Sequence, residues 1–266
     1  VHPHPAAEQP HPLAELITAA AARSFPAVDG GWHRVPPWRP DLFAVIAFTG
    51  HAVLVVPADV PDALLMHYGV DGFGGAHDPR LISALAGPDG WIDSIDLIMA
   101  AHGTAPTTSD IPTATPHDTA PSTANATAIT ANSTVPSTAP TTTSGSTAGL
   151  VPRPDLAGHP RARHAQRIRS NPRVFGYSDV SNQTLAIVSN GVAGLLELSF
   201  ELDPRQRGTG RGPRLIRDAL QLIPAGTLVI ASVAPGNAAS LRSLLDAGFV
   251  PLASLQLFRP VPADQA

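Results

Sequence analysis

The chain has 266 residues, a formal charge of −4 and 43% hydrophobic content, enough for one large packed domain or two small ones. It contains no cysteine, which excludes disulfides and thiol chemistry, and no lysine, so every side chain with a permanent positive charge is arginine. No apolar run reaches membrane-spanning length, and His, Pro and Glu rather than basic residues precede the apolar stretch near Leu16, so a cytoplasmic protein without membrane association is expected.

Residues 1–11 are rich in His and Pro and read as a floppy tail, although His2, His4 and His11 are the residue type that binds metals. An alanine-rich helix is expected over 13–24. Two apolar runs around Thr49-Gly50 predict a hairpin over 42–56. Residues 61–68 are ambiguous, 79–85 read as a short helix, and 91–101 fit a strand or a helix. Phe73-Gly74-Gly75 has no clear strand before it and reads as a plain turn rather than a phosphate loop. Over 103–149 Thr, Ala, Ser and Pro dominate; such a segment lacks the apolar surface to offset its ordering entropy and is expected to be a disordered linker. Beyond it, an arginine-rich helix is expected over 161–170, then strands over 174–177, 185–188 and 194–202. This reading divides the chain into an N-terminal α/β lobe (12–102), the linker (103–149) and a second domain (150–262).

Charge divides along the same line. Through residue 150 there are 4 Arg against 13 acids, and from 151 onward 13 Arg against 8 acids. The basic half holds Arg205-Gln206-Arg207-Gly208-Thr209-Gly210-Arg211-Gly212, between an apolar run (195–202) and a helical pattern (213–222). A glycine-rich turn between strand and helix presents main-chain amides to an anion at the positive end of the helix dipole. Three arginines around the turn add charge, so a pyrophosphate-bearing ligand is expected. A P-loop is excluded because it needs a lysine, and a dinucleotide fingerprint is disfavoured by the G-x-G-x-G spacing and the absence of an acid near Val229-Ile230. Nucleic-acid binding through the arginines at 161–173 is the rival reading of the charge; few aromatics accompany them and no such motif is present.

Downstream, Leu228 to Val233 is β-branched and apolar, Pro235-Gly236 breaks it, and Asn237 stands where a helix N-cap belongs. Leu241, Leu244 and Leu245 mark one helical face, Gly248 ends the helix, and Phe249-Val250 opens another apolar run. R-x-x-G-x-G from Arg205 to Gly210, followed by Asn237, Ser240, Gly248 and Phe249 in the pattern strand, N-x-x-[AS], helix, Gly-Phe, resembles the GNAT acetyltransferase superfamily over about 172–258. The resemblance implies an α/β fold, a mixed sheet with β-β-β-α-β-α-β order, to which 12–102 would add a companion lobe. It implies acetyl-CoA as co-substrate, with pantetheine along Phe200, Glu201 and Leu202. Diphosphate would lie on the amides of Gln206, Arg207, Gly208, Thr209, Gly210, Arg211 and Gly212, and further contacts would come from Asn237 and Ser240. The reaction implied is acetyl transfer to an amine of a small molecule or protein, without metal, by a monomer or homodimer; a non-catalytic acyl-CoA-binding module is the alternative.

Departures from the family pattern bear on chemistry. Its usual general-acid tyrosine falls at Leu244, and the only tyrosines are Tyr68 and Tyr177. The candidate catalytic residues are therefore Glu197 and Glu201, which alternate with apolar residues and share one strand face, and Ser240. Solvent exposure of that polar face is the plainer expectation for each glutamate. His159 and His164 are weaker candidates for the base. A family member would also carry a strand and helices before residue 172 and a final strand after 258.

Overall fold

The computed structural model describes residues 9–106 and 149–260. Helix α1 (Pro12–Ala21) starts where the His11 ring nitrogen accepts from the Leu13 N–H at 3.2 Å; Leu13, Ile17 and Ala20 form its buried stripe. His11 is thus a helix cap, held also to the Pro36 carbonyl, while His2 and His4 lie outside the described residues. Strand β1 (Trp32–Val35) is followed by the expected hairpin, β2 (Phe43–Phe48) and β3 (His51–Val55). The ambiguous segment is α2 (Asp62–His67). At 73–75 the Asp71 carboxylate accepts from the Phe73 and Gly75 amides, both at 2.8 Å, so this turn spends its donors internally. Helix α3 (Pro79–Ala86) is capped by Asp78, and 91–101 resolves as strand β4 (Trp91–His102).

The second half supplies β5 (Val151–Pro152), α4 (Pro160–Ile168), β6 (Ser170–Gly176), β7 (Leu185–Asn190), β8 (Leu196–Glu201), α5 (Gly212–Leu220), β9 (Leu228–Val233), α6 (Ala238–Asp246) and β10 (Val250–Arg259). The arginine-rich helix ends two residues early, with Arg169 as its C-cap and Ser170 opening β6. Residues 103–105, expected to begin the linker, are instead held by main-chain bonds. The Gly103 amide donates to Thr227 O at 2.8 Å, the Thr104 amide to Leu220 O at 3.0 Å, and Ala105 bridges Pro224. The remainder of that expectation, 107–148, lies outside the described residues.

The ten strands of the described residues form one sheet in the order β1-β3-β2-β10-β4-β9-β8-β7-β6-β5. Pairing is antiparallel except for β1 with β3 and β8 with β9. Strand β4 lies between β9 and β10, in register Ala100↔Ile230 on one side and Leu255↔Asp96 on the other. Strand β2 pairs with the far edge of β10. The strands of 12–102 and those beyond 150 therefore share one sheet.

Alternation along the strands sends side chains to two apolar layers. On one face α1 packs on Ile46, Val53, Ile98 and Leu255, and α4 covers Leu185 and Ile187. On the other, α2 and α3 cover Val45, Leu54 and Phe258, while α5 and α6 cover Val188, Leu198, Val229 and Ala231. A helix-sheet-helix sandwich results, with β8 and β9 near its middle.

Candidate functional site

Strands β8 and β9 stay together for only two residue pairs, Leu196↔Val229 and Glu197↔Ile230. On its other edge β8 remains paired with β7 as far as Leu185↔Glu201, and β9 stays with β4 as far as Leu97↔Val233. Past Glu197 the two strands part while each keeps its outer partner. The wedge has a volume of about 210 Å³ and is lined by Leu198, Ser199 and Phe200 on one wall, Ser232 and Val233 on the other, with Asn237, Ser240 and Leu244 of α6. Strand edges without a partner are templates for an added extended chain.

The glycine turn lies at the mouth of this wedge. A larger cavity of about 640 Å³, lined by Glu201, Leu202, Arg207, Gly208, Gly210 and Gly212 among others, shares Phe200, Asn237 and Ser240 with it. The turn's own geometry narrows the expected amide cradle. A 3-10 turn over Pro204–Gln206 consumes two donors, the Gln206 amide on Asp203 O at 2.7 Å and the Arg207 amide on Pro204 O at 3.4 Å. Among the described residues, the amides of Gly208, Thr209, Gly210 and Arg211 make no hydrogen bond to another protein group. Gly208 and Gly210 both have φ of 73°, and a Cβ on either would project into open space. Glycine here answers a backbone requirement. Gly212 is different, since its missing Cβ makes room for Ser243 of α6.

The arginines are less free than the sequence implies. Arg205 pairs with the buried Asp203 at 2.8 Å and donates to Ser181 O, closing the loop on itself; these bonds hold the Asp203 carboxyl well below its ordinary range. Arg207 pairs with Glu201 at 2.9 Å. Arg211 is exposed and has no ionic partner among the described residues. Gln206 turns inward, its Oε1 accepting from the Thr184 hydroxyl at 3.2 Å, and the Thr209 hydroxyl donates to Gln206 O. Asn237 caps α6 by accepting from the Ser240 amide at 3.2 Å, and it also lines the wedge.

Glu197 and Glu201 do share a strand face, but Glu197 is not solvent-facing. It is 2% exposed, and its carboxylate accepts from Arg169 Nη2 at 2.6 Å, Ser232 Oγ at 3.0 Å and the Val192 amide at 3.3 Å. Gly191 makes the seat, because a Cβ there would collide with Glu197 Oε2. Glu201 is held by Arg207 and, at 3.5 Å, by Arg161. Both carboxylates therefore already have guanidinium partners.

A better-placed group comes from the N-terminal half. Asp96, on β4, lies on the same sheet face, where wedge and floor cavity meet. Burial pushes its carboxyl up to about 6, with Asp93 and Glu197 adding to the rise against the Ser94 hydroxyl bond and Arg169. His164, on α4, lines both cavities, and burial together with Arg169 favours its neutral ring. His159, in contrast, caps α4 through its ring nitrogen. The floor cavity, about 60 Å³, adds Arg169, Glu197 and Trp38. Sequence reasoning missed Asp93, Asp96 and Arg169; the signal available was the polar interruption Asp93-Ser94, with Asp96, in an otherwise apolar strand.

Leu244 lines the wedge where the resemblance places a tyrosine. Tyr177 does not replace it. Its hydroxyl donates to Asp218 of α5 at 2.9 Å, and burial with that carboxylate pushes it up to about 12. Among the described residues no group of three or more His, Asp or Glu could hold a metal ion, and no helix is long and apolar enough to cross a membrane.

No protein-family model and no curated protein matches the chain. Among solved structures, one described as an acetyltransferase from the GNAT family of Novosphingobium aromaticivorans DSM 12444 is similar at 16% identity and a TM-score of 0.36. The alignment covers 66% of this chain and 69% of that one, and at these values it establishes neither a shared fold nor a shared activity.

Proposed function

We propose that the chain binds an acyl-CoA in the wedge between β8 and β9 and transfers its acyl group, acetyl in the simplest case, to an amine. The observation that carries this is the parting of two parallel strands after two residue pairs, with a glycine turn of four unpaired amides at the open end and half-buried Asp96 and His164 beside the buried Arg169–Glu197 pair at the closed end. The open end suits a diphosphate, since Gly208, Gly210 and Gly212 line it beside Arg161, Arg207 and Arg242, and the amides from Gly208 to Arg211 have no acceptor among the described residues. The walls suit a pantetheine arm, whose amides can pair with the free edge from Leu198 to Leu202 in the manner of an added strand.

In this reading Asp96 takes a proton from the acceptor ammonium. Main-chain N–H groups on the parted strands stabilise the oxyanion formed as nitrogen attacks the thioester. Glu197 and Glu201 are supports rather than bases: Glu197 fixes Arg169 and Ser232, and Glu201 orients Arg207 and Arg161. A second reading, acyl-CoA binding without turnover, is favoured by Leu244, which leaves the departing thiolate without the usual phenolic proton donor. Titration with acetyl-CoA, followed by calorimetry and by thiol release in the presence of an amine panel, tests both. Binding is expected to be lost in Gly208→Glu and Gly210→Glu and kept in Gly226→Ala, a positive-φ control remote from the loop. Equal binding by all three overturns the proposal; binding without thiol release selects the second reading.

A further inference from the structure

Arg169 follows the last turn of α4, and its side chain is 7% exposed. Among the described residues only Nη2 has a partner, Glu197; Nε and Nη1 are buried with none. Leaving two guanidinium N–H groups buried and unpaired is costly, because each has lost water and gained nothing. The side chain borders the floor cavity, so the missing acceptor has a place to sit. Around the same cavity Asp93 and Asp96 carry the opposite sign, and they lie where it opens into the wedge. The remaining walls include Trp38, Leu42 and Val192, which suit a hydrocarbon fragment.

We infer that the acyl acceptor is a small amino acid or close analogue, its carboxylate taken by Arg169 in the floor cavity and its amine held between Asp93 and Asp96 facing the wedge. A simple amine would leave the Arg169 donors unanswered, and a lone carboxylate would face the two aspartates. A molecule bearing both charges a few ångströms apart satisfies both ends. The floor cavity, about 60 Å³ against about 210 Å³ for the wedge, is the smaller compartment and suits the head group. The bulk of any side chain must therefore follow the wedge. The chemistry rests on the acyl-transfer reading and balances within it. Asp96 removes one proton from the ammonium, nitrogen bonds to the thioester carbonyl carbon, the C–S bond breaks, and the second nitrogen proton ends on sulfur. The products are an N-acyl amino acid and free CoA thiol.

The test uses the full-length protein and two separate readouts. A panel of the common L-amino acids and the matching amino-acid amides is examined first by ligand-observed NMR without acyl-CoA, then for thiol release with acetyl-CoA. At least one amino acid is expected to bind and to be acylated, with its amide weaker by about tenfold or more, the loss anticipated for a charge-assisted hydrogen bond. Arg169→Lys, which keeps the charge against Glu197, should close that gap by weakening the amino acid alone. Amides that bind and react as well as their acids, or a panel in which no amino acid binds, overturn the inference. The two claims fail separately: thiol release from simple amines without carboxylate preference retains acyl transfer and rejects the amino-acid acceptor. Arg169-dependent amino-acid binding without acetyl-CoA binding does the reverse.

Discussion

The buried pair of Arg169 and Glu197 sets the character of the site more than any other residues do. Charges this deep are expensive to desolvate, and each is tolerable only while the other is present. Glu197→Ala should therefore lower stability by about 3–5 kcal/mol, measured by urea denaturation, whereas the double change Arg169→Met with Glu197→Leu should recover much of that loss and still abolish activity. A single change that costs as little as the double would show that the pair does not share a desolvated environment. Asp96 offers a prediction of a different kind. Its folded-state carboxyl is raised, so its contribution to stability is full below the usual carboxylate range and is lost as pH rises through about 6. Proton abstraction runs the opposite way and needs the ionised form. The kcat/KM profile should rise with an apparent pKa near 6, and Asp96→Asn should remove that limb and cost about 10²–10⁴ in rate. If the limb survives in Asp96→Asn, His164 becomes the base. None of this was legible residue by residue. Strand alternation puts Glu197 and Glu201 on one face but says nothing about what covers that face. The cover is α4 and Arg169, and the hollow under Glu197 is made by Gly191, a neighbour that local patterning does not single out.

At the level of elements the sequence was far more informative. The hairpin at Thr49-Gly50, the strand into the glycine turn, the capped helix after Asn237 and the strand after Gly248 all formed where periodicity and cap chemistry placed them. These are local signals, carried by side-chain spacing within one or two turns of chain. The glycine turn was legible in outline only. Its arginines read as three free charges because nothing in their spacing reveals that Asp203 and Glu201 have claimed two of them. Its glycines read as one group although they perform two tasks. Gly208 and Gly210 hold backbone conformations that L-residues resist, while Gly212 lets α5 approach α6. A Cβ at Gly212 would meet Ser243 Cβ at 2.9 Å and press on its hydroxyl oxygen, so Gly212→Ala is expected to cost about 1–3 kcal/mol through overpacking. Ser243→Gly in that background should return part of the loss. Gly208→Ala should instead cost about 1 kcal/mol of backbone strain and be indifferent to Ser243. Equal response of both variants to the Ser243 change would dissolve the distinction.

The whole molecule turns on strand β4. Residues far apart in sequence meet in it: one edge pairs with β9, the other with β10, and its Asp96 faces a wedge whose walls belong to the second half of the chain. Long-range pairing of this kind leaves no mark on hydrophobic periodicity, so composition alone divides the chain at 102 and 150, where the sheet runs on unbroken. A single cooperative unit is therefore expected. With a site-specific protease sequence placed in the middle of 107–148 and then cut, the pieces should co-elute on size exclusion and unfold in one transition. The backbone ladders of β4 with β9, of β4 with β10 and of β2 with β10 bind the pieces to each other without a covalent link. Expressed alone, the piece from 149 onward would present bare edges on both β9 and β10 and lack Asp93 and Asp96, so it should be aggregation-prone and inactive. Adding the N-terminal piece during refolding should restore both solubility and acyl transfer. Two pieces that separate after cleavage, each with its own transition and one retaining the activity, would show that the site does not depend on β4.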